Sequence, residues 1–174
     1  MVMDIFWIIF IIIAAYFFLA FFVLRLVAPF MGFKQYLPPT DLPPEIRQTI
    51  AELENKTTDQ KTFLQLAYNL LASKYDHGRY NVVRFLPRLF RTDLEQIWNS
   101  TGYAHCTTRN YVLFTLLANS KYFKPEDVRV RHQFFNFVPH QYLQVKVDGI
   151  WTDADPGGSY KGGVVLGKHA SWFW

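Results

Sequence analysis

The chain of 174 residues contains one cysteine, Cys106. A single thiol excludes an intramolecular disulfide framework, and it excludes the paired Cys spacings of zinc ribbons and fingers. Charge is missing from one long stretch, since no Asp, Glu, Lys or Arg lies between Ile5 and Leu24. There is no internal repeat, and no low-complexity tract beyond the glycines of "PGGSYKGG". No basic stripe accompanies a recognisable nucleic-acid module, so nucleic acid is not an expected partner. Nothing in the residue pattern requires a cofactor.

The uncharged run reads "IFWIIFIIIAAYFFLAFFVL". At about 1.5 Å per residue a helix of that length matches a bilayer core of about 30 Å, so residues 5–24 are expected to contact lipid as a transmembrane helix and residues 1–25 to form a single-pass anchor. A cleaved secretory signal would carry a basic leader, a shorter apolar segment and a small-residue cleavage site, whereas here Asp4 precedes the run. A core helix would show one polar face, and this run shows none. Arg25 and Lys34 follow the run, which under the positive-inside rule favours a cytoplasmic position for the rest of the chain. A lone cysteine agrees with a reducing compartment, although one catalytic thiol also survives outside the membrane.

Two Pro-Pro pairs in "KQYLPPTDLPPEIRQ" stop helix continuation and favour extended geometry, so residues 26–44 read as a semi-rigid linker. Residues 45–174 are then long enough for one hydrophobic core. The net charge is +4 and Asp4 is the only charged side chain before Arg25, so the remainder is the more basic part. Its densest patch is "RFLPRLFR", with Arg84, Arg88 and Arg91, which reads either as a solvated helix face or as a surface drawn to anionic lipid.

The first half of residues 45–174 has helical spacing. Leu64, Leu66, Ala67, Leu70 and Leu71 form an apolar stripe after "TTDQ", where Thr58 or Asp59 is placed to cap a helix. Thr92 followed by Glu95 has the capping-box spacing, which predicts a short helix ending near Asn99. Another helix is expected over Thr107 to Asn119, with Cys106 at its start. The unpaired amides and the macrodipole of a helix start favour negative charge, which stabilises a thiolate. A free cysteine is also a common small core residue, so position alone does not decide its role.

The second half alternates. "DVRVR", "FFNFV" and "HQYLQVKVDGIWTDADP" predict antiparallel strands, and Asp148-Gly149 has the signature of a two-residue hairpin turn. With Val147 opposite Ile150, His140, Tyr142, Gln144 and Lys146 share a face with Asp153 and Asp155. Asp155 falls one same-face step from His140, a diagonal of about 7–8 Å between backbones, whereas Asp153 falls one step further. Asp155 is therefore the expected partner of His140.

Cys106, His140 and Asp155 thus have the residue types and order of a nucleophile, a base and an orienting acid. The stretch "GYAHCTTRNYVLFTLL" together with "PHQYLQVKVDGIWTDADP" resembles the transglutaminase-like (papain-like) superfamily over roughly residues 98–156. The family pattern is a Cys, then a His opening a strand, a D-G hairpin with Trp, and an Asp followed by Pro. His140-Gln141-Tyr142 stands where the family often has His-Ala-Trp, and Ala104-His105 stands where glycine often precedes the cysteine. The resemblance implies an α+β domain with helices packed on an antiparallel sheet. It also implies a membrane-anchored cysteine hydrolase, thiol protease or acyltransferase acting on amide bonds of a protein or peptide substrate. Oxyanion stabilisation would come from the Cys106 amide and an upstream side chain, with Tyr103, Asn99 and Trp98 as candidates.

Other readings compete with this one. His105, Cys106, His132, His140 and Asp155 are zinc-ligand types, but adjacent His105 and Cys106 diverge at a helix start and the usual ligand spacing is missing, so no metal is expected. His77, His132 and His169, each alone in its stretch, read as surface or packing residues. An arylamine N-acetyltransferase shares the Cys, His, Asp order, but its Arg-Gly-Gly approach to the cysteine is absent. The remaining alternative is a non-catalytic transglutaminase-like scaffold at the membrane, with "HASWFW" as a contact for lipid or a membrane protein partner.

Overall fold

A computed structural model describes residues 5–32, 34–76, 81–135, 138–158 and 164–171. The N-terminal run does not form the single spanning helix that its composition predicts. Helix α1 (Ile5–Phe18) has 14 residues, about 21 Å at 1.5 Å per residue. Leu19–Val23 then winds as π-helix, with the Leu24 amide donating to the Leu19 carbonyl, and α2 (Leu24–Val27) completes the segment. This change of hydrogen-bond period ends the α-helix short of a bilayer core of about 30 Å. Among the described residues no helix is long and apolar enough to cross a membrane. The transmembrane helix in the expected fold, the single-pass membrane localisation and the cytoplasmic orientation are corrected accordingly.

The next residues pack on the rest of the chain. Ala28 is buried, and Phe30 and Tyr36 lie against the core. The Phe30 ring stacks on Tyr111 with centroids 3.9 Å apart, and Tyr36 meets Tyr111 and Phe114 edge-on, at 5.5 Å each. The second Pro-Pro pair leads into α3 (Pro44–Asn55), where Pro44 occupies a first-turn position that needs no amide donor.

Helix α3 buries Ile46, Ile50 and Leu53, one stripe at helical spacing. Helix α4 (Gln60–Lys74) is capped by Asp59, whose Oδ1 accepts from the Thr62 amide at 2.8 Å. After α5 (Asn81–Arg84) and a 3₁₀ turn over Leu86–Phe90 comes α6 (Leu94–Asn99). Its cap is Asp93, accepting from the Gln96 amide, and not Thr92 one residue earlier. Helix α7 (Cys106–Ala118) buries residues on every side and packs on both α4 and the sheet.

Strands β1 (Val128–Phe135), β2 (Val138–Val147) and β3 (Ile150–Ala154) form an antiparallel sheet in the order β1-β2-β3. Asp148 and Gly149 both have positive φ, 50° and 85°, the backbone that a tight type I′ hairpin demands and that glycine tolerates. The register pairs Val147 with Ile150, Gln144 with Asp153 and Leu143 with Ala154. The architecture is α+β, with α7 between the sheet and α4.

Leu143 is fully buried at the centre of β2. Truncating it to alanine is expected to cost about 2–5 kcal/mol of stability. Urea unfolding followed by fluorescence measures this as a lower midpoint at unchanged slope.

Candidate active site

Cys106 is the first residue of α7, placed there by an approach loop with its own supports. Gly102 has φ 79°, a turn that side chains resist. Asp76 pairs with Tyr103 in an isolated bridge and donates its amide to the Gly102 carbonyl at 3.0 Å. Arg88 donates through Nη1 to the carbonyls of Thr101 and Tyr103, at 3.0 and 2.9 Å. At least one arginine of the basic patch is therefore committed to holding this loop. His105 Nε2 donates to the Phe85 carbonyl at 3.1 Å.

Arg109, three residues after the cysteine, is the largest fully buried side chain among the described residues. Its Nε donates to the Ala104 carbonyl at 2.9 Å and its Nη1 to the Pro156 carbonyl at 3.3 Å, while Nη2 donates to the Asp76 carbonyl. One guanidinium thus ties the segment before the thiol to the segment after Asp155, using the fork of donors that makes arginine suited to such a junction.

His140 lies on β2 opposite Gln133 and is buried. Its Nε2 donates to Asp155 Oδ2 at 2.7 Å. With Nε2 committed to the carboxylate, Nδ1 is the ring nitrogen left to the Cys106 thiol, to which His140 is also hydrogen-bonded. This assignment reverses that of the Ser-His-Asp template, in which Nδ1 faces the acid. The thiol sulfur also receives the Gln141 amide. The structure therefore brings Cys106, His140 and Asp155 into one row.

The ladder ends at the Leu143–Ala154 pair, so Asp155 sits just beyond the edge strand. The diagonal between Asp155 and His140 is closed by their side chains, bonded at 2.7 Å. The carboxylate is wholly buried and accepts two backbone amides, Gly158 to Oδ1 and Ala170 to Oδ2, each at 2.9 Å. Tyr68 on α4 donates its hydroxyl toward the Asp155 and Val164 carbonyls, at 3.1 and 3.0 Å. Asp153, the competing acid on the same face, is bonded instead to Gln144 at 2.7 Å and to His169 at 2.5 Å.

Electrostatics follow from this geometry. Burial pushes the Cys106 thiol up, but the hydrogen bond and charge of His140, with the Gln141 amide, outweigh it and bring the thiol below its ordinary value. Burial pulls the His140 imidazole down, and the charge and hydrogen bond of Asp155, together with Cys106, raise it well above its ordinary value. Both shifts act in the direction that favours a thiolate beside an imidazolium.

The three oxyanion candidates are in different places. Trp98 is buried in the core with the Lys74 ammonium 4.3 Å from its ring centre, and Asn99 is exposed at the end of α6. Tyr103 is electrostatically coupled to Cys106, and burial, followed by that coupling, keeps its hydroxyl protonated. Of the zinc-ligand types, His132 contacts Gln141 Nε2 at 3.2 Å, and among the described residues no three His, Cys, Asp or Glu side chains gather as a metal site would require. His77 and the last three residues of "HASWFW" lie outside the described residues.

Several residues of the site carried no chemical motif. The Gln141 amide accepts from the Tyr36 hydroxyl at 2.5 Å and donates to the Phe30 carbonyl at 3.0 Å, so a side chain beside His140 holds the N-terminal stretch. The Pro-Gly-Gly after Asp155 was a visible signal. A Cβ on Gly157 would stand 2.9 Å from the Cys106 Cβ, and one on Gly158 would stand 2.6 Å from Asp155 Oδ2. Comparison with known proteins finds no matching family, no matching curated sequence and no matching solved structure.

Two outcomes are expected. Because the thiol lies below its ordinary value, alkylation of Cys106 by iodoacetamide should persist to lower pH than for a free cysteine of pKa about 8.5, and His140→Ala should move the limb back up. Gly157→Ala should slow that alkylation and lower stability by about 1–3 kcal/mol through overpacking, read by mass spectrometry and thermal unfolding.

Proposed function

We propose that this protein is a cysteine hydrolase or acyltransferase acting on amide bonds of a protein or peptide, with Cys106 as nucleophile, His140 as general base and acid, and Asp155 as the orienting group. The observation that carries this reading is the row in which a buried His140 bonds Asp155 at 2.7 Å and faces the Cys106 thiol at a helix start. A structural cysteine has no need of an imidazole whose other nitrogen is locked by a buried carboxylate. The resemblance to the transglutaminase-like superfamily supports the same assignment, residue for residue, at these three positions.

In the reaction, the Cys106 thiolate attacks the carbonyl carbon and a C–S bond forms as the carbonyl electrons move to oxygen. The resulting oxyanion is stabilised by the Cys106 amide, one of the donors that a helix start leaves without an intrahelical partner, and by the Tyr103 hydroxyl. His140 gives its Nδ1 proton to the leaving nitrogen and the C–N bond breaks, leaving a thioester. Water or an amine, deprotonated by His140, then attacks the thioester and expels the thiolate. Asp155 keeps the Nε2 proton in place and favours the imidazolium, without taking the proton itself.

One observation favours a second reading, an interaction domain without catalysis. A concavity of about 800 Å³ lies between Asp41–Ala51 and Thr92–Glu95, and Cys106 is not among its lining residues. A scaffold would use that groove and leave the thiol idle.

Incubation with p-nitrophenyl acetate separates the two. An enzyme should acquire one acetyl group on Cys106, seen by intact mass, and Cys106→Ala should abolish it. His140→Ala should slow acylation by about 10²-fold or more, the usual scale of general base catalysis. Acylation no faster than that of free cysteine would leave the scaffold reading.

A further inference from the structure

The segment after the glycine turn makes contacts that the reaction above does not use. Val164 and Ala170 are buried, and the Gly167 amide donates to the Asp153 carbonyl at 2.8 Å. His169 donates through Nδ1 to Asp153 Oδ2 at 2.5 Å and stacks flat on Tyr142, with centroids 4.3 Å apart and planes at 13°. Gln144 holds the other oxygen of Asp153. One residue further, the Ala170 amide reaches Asp155 Oδ2, the same oxygen that accepts from His140.

We propose that His169 and Asp153 form a latch that seats the Ala170 amide on Asp155, making them positioning residues for the His140–Asp155 pair. The proposal rests on the triad reading and adds to it a second His–Asp pair, one same-face step along the sheet, that touches no reacting atom. The physical basis is local. A wholly buried carboxylate depends on each amide it accepts, and Ala170 supplies one of the two backbone donors seen among the described residues. That amide belongs to a stretch, residues 164–171, without helix or strand structure of its own, whose position is set by the Gly167 main-chain bond together with side-chain contacts. The ring of His169 supplies two, a charge-assisted hydrogen bond to Asp153 and a stacking face on Tyr142.

If the latch opens, Asp155 loses an amide and the freedom of its carboxylate increases. His140 is then held less firmly as a cation, and the Cys106 thiolate loses part of its stabilisation. A purely structural role for His169 would lower stability and leave the thiol's pH response where it was.

The experiment is the pH dependence of Cys106 alkylation by iodoacetamide in the full chain, with thermal unfolding recorded on the same samples. His169→Phe keeps a flat ring for Tyr142 but cannot donate to Asp153, whereas His169→Gln can donate. His169→Phe should move the alkylation midpoint upward by about one pH unit, a tenfold loss of thiolate below the midpoint, and His169→Gln should recover much of it. Should His169→Phe fail to fold, Asp153→Asn, which preserves shape and removes the charge, should move the midpoint in the same direction. A wild-type midpoint below that of a free thiol that is unchanged in all folded variants would overturn the latch and leave the triad standing. A wild-type midpoint equal to that of a free thiol would overturn both.

Discussion

A carboxylate with no exposure to water sits at the centre of this structure. Leaving an ionised Asp155 buried without partners would cost several kcal/mol, so its surroundings must supply donors. Three do so: the His140 ring, the Gly158 amide and the Ala170 amide. Each brings a different part of the chain to the same point. His140 comes from the central strand, Gly158 from the turn after the edge strand, and Ala170 from the returning C-terminal segment. The path of the backbone after β3 is the set of bends that lets these donors arrive. Gly157 and Gly158 are the residues that make it sterically possible, since any side chain there would run into Cys106 or into Asp155 itself.

The same charge acts through His140 on the thiol. A neutral imidazole buried in this position would be held neutral by desolvation, and a neighbouring thiol would then stay protonated. Asp155 reverses the first effect, and the imidazolium it favours reverses the second. The helix start of α7 adds in the same direction. Arg109 donates to main-chain carbonyls on both sides of the site, and its charge also acts on Cys106 and Asp155. It ties the loop before Cys106 to the segment after Asp155.

A second knot lies on the other side of His140. The Asn110 side chain on α7 donates to the Gln141 carbonyl at 2.7 Å, and the Gln141 side chain accepts from the Tyr36 hydroxyl. Tyr36 also donates to the Thr107 carbonyl, one residue after Cys106, at 3.2 Å. The stretch before α3, which its prolines mark as a linker, is thus bound at its N-terminal end to the residues flanking both Cys106 and His140. Its aromatic rings complete the core over Tyr111 and Phe114.

Much of the local structure was written in residue types. The Asp-Gly turn dictates a hairpin register in which Gln144 faces Asp153, and the observed pairing is that one. Asp59 and the apolar stripe of α4 announce that helix, and Cys106 falls at a helix start because a Gly-containing loop precedes an apolar segment with helical spacing. Where local signals competed, they misled. Thr92 has the capping-box spacing, but Asp93 has the stronger acceptor and takes the cap. The apolar run from Ile5 has the length of a bilayer span in one dimension, yet its hydrogen-bond period changes at Leu19, which composition does not report.

By itself the sequence pointed to one thiol at a helix start, a histidine on a strand and, through the hairpin register, Asp155 rather than Asp153 as that histidine's partner. Turning Nε2 rather than Nδ1 toward the carboxylate, and recruiting Arg109, Tyr36, Gln141 and the Ala170 amide, were decisions of the tertiary structure. The reason is physical. Side-chain periodicity and turn chemistry act over a few residues, whereas satisfying a buried charge draws on whatever donors the folded chain brings within about 3 Å, however far apart they lie along the backbone.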